Sequence, residues 1–243
     1  MSTNDARRDE VAANLELVRG RIASSCADAG RPDDDVRLVV VTKFFRASDV
    51  RILAELGITD VGENRHQEAE AKAAECADLG LVWHFIGGLQ SNKAAAVGGW
   101  ADVVQSVDRA KLLAALGRAA HERSRLLDVL VQVNLDPPSG GDRQHEKDGR
   151  SGVLPQDAVA LAERAAATEG VQLRGVMAVA PREGDPAAAF ARLADVATAV
   201  RAVVPAAGWV SAGMSGDLEA AIAAGATHVR VGTAVLGTRP LRG

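Results

Sequence analysis

The sequence predicts a single α/β domain folded as a (β/α)8 TIM barrel with an extra helix at its N-terminus. Three observations predict it. Short β-branched runs alternate with helical patterns eight times along the chain. The 243 residues suit one barrel. No Gly-x-Gly-x-x-Gly fingerprint follows the first strand, which disfavours the runner-up, an open doubly wound sheet.

The elements follow in order. Residues 1–30 read as a helix, with Val11, Leu15, Leu17, Val18, Ile22 and Ala23 near helical spacing and Gly30-Arg31-Pro32 as its end. Residues 38–42 form a Val-rich run, hence a buried strand. A helix over 48–56 stops at Gly57. Strand two covers 58–62 and a helix 65–79; strand three covers 81–86, with a helix starting near Ser91. Strand four (103–106) precedes a helix over 109–123, and strand five spans 127–135. Residues 136–150, with Pro137-Pro138 and Gly140-Gly141, read as a flexible loop insertion. A helix over 155–168 starts at Pro155, a favoured first helical position. Strand six (171–179), a helix (185–204), strand seven (209–212), a helix (215–224) and strand eight (His228–Val231) complete the alternation. No linker divides the chain, so residues 1–243 read as one domain.

Composition excludes several classes of partner. Lys and Arg number 28 against 32 Asp and Glu, a net charge of −4 with no basic run, which argues against nucleic acid. Aromatic residues are 3% and Tyr is absent, so base-stacking platforms are not expected. Cys26 and Cys76 suggest neither a metal site nor a disulfide framework. The first residues lack an apolar signal region, and no apolar run approaches the ~18 residues of a membrane span. The expected location is the cytoplasm.

In a barrel, chemistry sits at the C-terminal ends of the strands. Of the lysines at 43, 72, 93, 111 and 147, only Lys43 ends a buried strand; the others fall in helices or the charged loop, where a solvated role is the default. Burying an ammonium is costly, so the Lys43 pKa should fall from ~10.4. That supplies a neutral amine able to form a Schiff base with a carbonyl. The bland alternative is a lysine snorkelling to the rim or pairing with Glu63.

A second group lies at the other end of the chain. Ser211-Ala-Gly213-Met-Ser215-Gly216 leaves strand seven, and Arg230-Val-Gly232-Thr233 leaves strand eight. Small residues let backbone N–H groups approach an anion, and these two loops are this fold's usual phosphate site. Alternatively Ser215 is only an N-cap, with Asp217 and Glu219 in the first helical turn. Those carboxylates would have to point away from a bound phosphate. A lysine amine and an anion nest at one mouth suit a ligand carrying both an aldehyde and a phosphate, and pyridoxal phosphate is such a ligand. Glu63, Asn64, His84, Gln90, Asn134 and Met177 stand at the same rim. His84 is either a ring-contacting or proton-transfer residue, or a satisfied core side chain beside Trp83 and Phe85. His66, His121 and His145 read as surface residues.

The chain resembles the pyridoxal phosphate homeostasis protein family, itself similar to the barrel domain of alanine racemase. The segments that carry the likeness are Val39-Val-Val-Thr-Lys43, Gly62-Glu-Asn64, Trp83-His-Phe-Ile-Gly87, Leu89-Gln-Ser-Asn-Lys93, Leu173-Arg-Gly-Val-Met177, Ser211-Ala-Gly-Met-Ser215 and Val229-Arg-Val-Gly-Thr233. The resemblance implies that Lys43 holds pyridoxal 5'-phosphate as an internal aldimine and that Ser215, Gly232 and Thr233 hold its phosphate. It implies that Arg230 faces the pyridine nitrogen, which weakens the ring as an electron sink, and that Asn64, His84 and Met214 lie close by. Two departures stand out. Phe44-Phe45-Arg46 replaces the further lysine and proline common after the cofactor lysine. Arg150-Ser-Gly152 replaces a Lys-Ser-Gly segment, and Arg150 cannot form an imine.

Alanine racemase, by the same comparison, uses the cofactor lysine and a tyrosine from a second, β domain. This chain has no Tyr and ends soon after strand eight, leaving no length for that domain. The expectation is therefore cofactor homeostasis (storage, delivery and control of free pyridoxal phosphate) and not turnover. Its expected partners are pyridoxal phosphate and the apoenzymes that need it, and its expected state is a monomer. The alternatives are a one-base racemase or related enzyme using Lys43, a cofactor-free lysine aldolase, and a non-catalytic interaction protein on a barrel scaffold.

Overall fold

Strands buried on both faces need apolar residues at consecutive positions, and Val-rich runs supply them. In the computed structural model, which describes residues 3–136 and 152–238, they form β1 (Arg37–Val41), β2 (Asp60–Glu63), β3 (Val82–Phe85), β4 (Val103–Val107), β5 (Leu127–Gln132), β6 (Val171–Met177), β7 (Trp209–Ser211) and β8 (His228–Val231). All pair in parallel with their chain neighbours, and β8 closes on β1. The fold is the expected TIM barrel. The predicted insertion, apart from Asp136, lies outside the described residues, and so does Arg150.

Helices stand between the strands: α2 (Ala47–Glu55), α3 (His66–Glu75), α4 (Ala94–Gly98), α5 (Leu113–Glu122), α6 (Ala158–Ala166), α7 (Pro186–Val203) and α8 (Leu218–Ala223). Several are shorter than predicted because tight 3-10 turns flank them, as at Ala77–Leu79, Ser91–Lys93, Ala110–Leu112 and Pro155–Asp157. The helix expected over 215–224 begins at Leu218. Asp217 is its N-cap residue, which overturns the capping role considered for Ser215.

Among the described residues, β8 is followed by α9 (Thr233–Leu236), too short to show periodicity in the sequence. The long N-terminal α1 (Thr3–Asp28) covers this place in the helical ring. Its Val11, Leu15, Val18 and Ile22 pack in one buried cluster with Val50, Leu53, Leu218, Ile222, Val235 and Leu236. Each such burial contributes roughly 1.5–3 kcal/mol. Leu17, counted in the predicted stripe, is 70% exposed because it falls off this 11-15-18-22 face. Polar contacts add direction: Arg7 donates to Leu236 O at 2.9 Å, Asn14 to Val235 O at 3.1 Å and Arg21 to Ser215 O at 2.9 Å. Among the described residues, no helix is long and apolar enough to cross a membrane.

Alternate strand residues turn inward. Val40, Val61, Val229 and Val231 pack toward the helices, which leaves Val39, Gly62, His228 and Arg230 to the lumen. Low in the lumen, the His228 and Trp209 rings lie 4.4 Å apart. Thr227 Oγ1 and His228 Nδ1 are hydrogen-bonded at 2.8 Å, while the buried Nε2 has no partner among the described residues. Burial, with help from the nearby Arg37 cation, lowers the His228 pKa to about 3.

Phe190, among the largest fully buried side chains, sits in the main core. Phe190→Ala should cost about 3–5 kcal/mol, read as a lower denaturant midpoint at unchanged slope. His228 is neutral in the fold, whereas the unfolded chain takes a proton near pH 6.5. Stability should therefore be full above that pH and fall as the pH drops toward 3. Between pH 7 and 5, above the carboxylate range, His228→Phe should flatten that loss in chemical denaturation. An unchanged slope would refute the buried neutral ring.

Candidate functional site

Thr42 continues β1 past its last strand residue by donating its N–H to Gly62 O at 2.9 Å. The chain then turns, with Phe45 N bonded to Thr42 O at 3.0 Å and Phe44 at φ +73°. Lys43 sits in this turn, half-buried at the C-terminal rim. The residues on either side of it are tied down from α3. Lys72 Nζ donates to Thr42 O at 2.9 Å, and Phe44 N donates to Glu68 Oε1 at 2.7 Å. Lys72 also donates to Glu63 Oε1 at 2.7 Å and Glu68 Oε1 at 3.2 Å, while Thr42 Oγ1 donates to Glu63 Oε1 at 2.6 Å. Glu63, the partner considered for Lys43, is thus engaged by Lys72. Lys72 is no surface lysine: it is 6% exposed. Burial pushes the Glu63 carboxyl above its ordinary range, against the pull of Lys72 and Thr42.

The last two strands reach the same rim. Register pairs Val39 with Arg230 and Val40 with Val231, so Gly232 stands beside Val41. A Cβ on residue 232 would lie 3.2 Å from Val41 O, a close approach that glycine permits. Gly213 turns at φ +89°, where a Cβ would meet Ala221 Cβ at 2.7 Å. This turn carries Met214 to the mouth, with Met214 N donating to Asp217 Oδ1 at 2.6 Å. The tension over the acidic residues is half resolved. Glu219 pairs with Arg21 of α1 at 2.7 Å and leaves the mouth; Asp217 stays and lines it. Thr233 opens α9, exposed. A cavity of about 450 Å³ at the mouth is lined by Asn64, Gly87, Gln132, Asn134, Met214 and Asp217.

Beneath the rim, the lumen is crossed by a chain of buried polar side chains. Arg230 donates through Nη1 to Ser211 Oγ at 2.7 Å and through Nη2 to Ala178 O at 2.8 Å. Ser211 Oγ donates to Gln105 Oε1 at 2.7 Å. Gln105 Nε2 lies 2.9 Å from His84 Nδ1, and His84 Nε2 lies 2.9 Å from Asp60 Oδ1. A guanidinium only donates, so the direction is set along the whole chain: Gln105 gives its N–H to Nδ1, and the neutral His84 gives Nε2–H to Asp60. Burial lowers the Arg230 pKa to about 10, which leaves it a cation at neutral pH. Burial would raise the Asp60 carboxyl, but hydrogen bonds from His84 and Thr59 outweigh it and bring it below its usual range.

The structure therefore gathers Lys43, Asn64, Met214, Ser215, Gly232 and Thr233 at one rim, with Arg230 directly below. His84 does not join them at the surface. It is fully buried with both ring nitrogens engaged, the core side chain of the two readings considered for it. Sequence reasoning missed Lys72, Glu68, Gln105 and Asp60. A polar residue inside the Val-rich run Val103-Val-Gln-Ser-Val107 was the available signal for Gln105. Phe44 and Phe45, which depart from the family pattern, pack locally: Arg65 lies 4.9 Å over the Phe44 ring and Arg7 5.9 Å over that of Phe45.

Comparison with known proteins identifies the family. Residues 9–240 match the alanine racemase N-terminal domain model. A pyridoxal phosphate homeostasis protein of Mycobacterium tuberculosis is 41% identical over 100% of this chain and 98% of its own. Its counterpart in Corynebacterium glutamicum is 41% identical over 92% of this chain and 100% of its own. PipY of Synechococcus elongatus, solved with pyridoxal phosphate bound, superposes with a TM-score of 0.78 at 34% identity, covering 93% of this chain and 100% of that one. The chain belongs to the alanine racemase N-terminal domain family and, within it, to the pyridoxal phosphate homeostasis proteins.

Proposed function

We propose that this protein binds pyridoxal 5'-phosphate and serves its homeostasis, storing, delivering and controlling the free cofactor. The observation that carries the reading is the meeting of two rims. The lysine-bearing end of β1 and the glycine turn after β8 touch at Val41 and Gly232. The donor set fits the cofactor. The amine of Lys43 suits an aldehyde, the Ser215 and Thr233 hydroxyls beside Gly232 suit a phosphate, and the Arg230 cation suits a ring nitrogen that carries no proton.

When bound, pyridoxal phosphate supplies an aldehyde carbon that a lysine amine joins reversibly with release of water. In the proposed site Lys43 provides that amine, and Ser215, Gly232 and Thr233 hold the phosphate. Asn64 and Met214, which line the cavity at the mouth, would contact the ring. Arg230 is pinned by Ser211 and Ala178 O; its positive charge would disfavour a proton on the ring nitrogen of a bound cofactor. His84 acts from below, through Gln105 and Ser211. A cation at the ring nitrogen supports holding the cofactor over activating it, and the absence of Tyr removes the partner base of a two-base racemase. The proposed working form is a cytoplasmic monomer of one domain, which exchanges cofactor with apoenzymes.

Purified protein given pyridoxal phosphate should gain a visible absorption band, and borohydride reduction should fix the cofactor on the peptide holding Lys43. Lys43→Ala should lose both. Retention of both would overturn the lysine assignment. Racemisation or deamination of an amino acid at ordinary enzymatic rates, about 1–1000 per second, would overturn the homeostasis reading.

A further inference from the structure

We propose that Glu68 and Lys72 of α3, backed by Glu63, are positioning residues that aim Lys43 at the cofactor. The inference rests on the reading that Lys43 makes the covalent link. Their contacts fall on the two peptide groups that flank Lys43: Lys72 Nζ holds Thr42 O at 2.9 Å, and Glu68 Oε1 takes Phe44 N–H at 2.7 Å. With residues 42 and 44 fixed, the backbone that carries Lys43 is held from both sides. That restriction places an amine near its target before the ligand arrives.

Stability alone is a poor account of the cluster. Burying an ammonium and a carboxylate is costly, and well-packed apolar groups of similar size often do as well. Glu63 Oε2 is buried with no partner among the described residues, an added cost. Phe44 stands at φ +73°, where a residue with a Cβ is strained, and the bond from its N–H to Glu68 holds it there. Strain and buried charge converge on the single turn that bears Lys43. All three N–H bonds of Lys72 are spent within the cluster, so Lys72 positions and does not compete for an aldehyde.

Glu68 is about one-third exposed, so its variants should fold. The probes are pyridoxal phosphate and pyridoxine phosphate, which carries the same ring and phosphate but an alcohol in place of the aldehyde. Glu68→Ala should slow and weaken capture of pyridoxal phosphate by ~10- to 100-fold, read from the lysine-linked band, while pyridoxine phosphate binds as to wild type. Glu68→Gln keeps the acceptor for Phe44 N–H and should restore most of the capture. Lys72→Met should resemble Glu68→Ala. Equal losses for both ligands would mark a merely structural role and overturn the proposal, as would wild-type capture by Glu68→Ala. If wild type itself forms no Lys43-linked band, the reading of Lys43 fails and takes the inference with it. If wild type forms that band and Glu68→Ala matches it, only the positioning role fails.

Discussion

A closed parallel barrel encloses a lumen too narrow for bulk water, so every polar side chain turned into it must find its partner there. Here that constraint organises the middle of the molecule. A cation at Arg230 and an anion at Asp60 are too far apart to pair directly, so Ser211, Gln105 and His84 join them by hydrogen bonds that all point the same way. Chains of this kind strengthen cooperatively in a low dielectric. Removing one link would strand a buried donor on one side and an acceptor on the other. The guanidinium is thereby fixed beneath the mouth by the same network that satisfies the core. A feature of folding becomes a feature of the site without any extra element.

The helical ring couples to the mouth in a similar way. Among the described residues β8 is followed by the short α9, and α1 packs over it with an apolar face. The polar contacts of α1 land on the loops after β7 and β8: Arg21 holds the carbonyl of Ser215 and pairs with Glu219, while Arg7 and Asn14 hold the end of α9. Removing Glu219 from the rim makes the turn after β7 less hostile to an anion, since a nearby carboxylate would repel it.

Much of this was legible in the sequence. Strand runs such as Val39-Val-Val announce burial on both faces, and a lysine directly after such a run is unusual enough to single out. Glycines at 213 and 232 marked the turns where backbone comes close to backbone. The supporting residues were harder to see because their meaning depends on which way each one faces. Glu68 and Lys72 have the i, i+4 spacing of an ordinary solvated ion pair, and only the packing of α3 on the β1–β2 rim turns Lys72 inward. Asp60 sits one residue before outward-facing Val61, and strand alternation alone does not say which set of residues faces the lumen. Ser215 resembled an N-cap because the real start of α8, three residues later, is set by Asp217 bonding Met214 N–H, a detail of loop geometry.

Two lysines stand within a few residues of the same rim, and their surroundings assign them opposite work. An amine attacks only with a free lone pair, so it must be able to shed its proton. Each of the three N–H bonds of Lys72 ends on an oxygen, two of them carboxylate oxygens. Lys43 lies half-buried at the lip, held through its backbone neighbours instead of through a buried ion pair with Glu63. Glu63 and Glu68 each give an oxygen to Lys72. Under the proposed function the two lysines divide the work: Lys43 supplies the amine, and Lys72 anchors the turn that carries it.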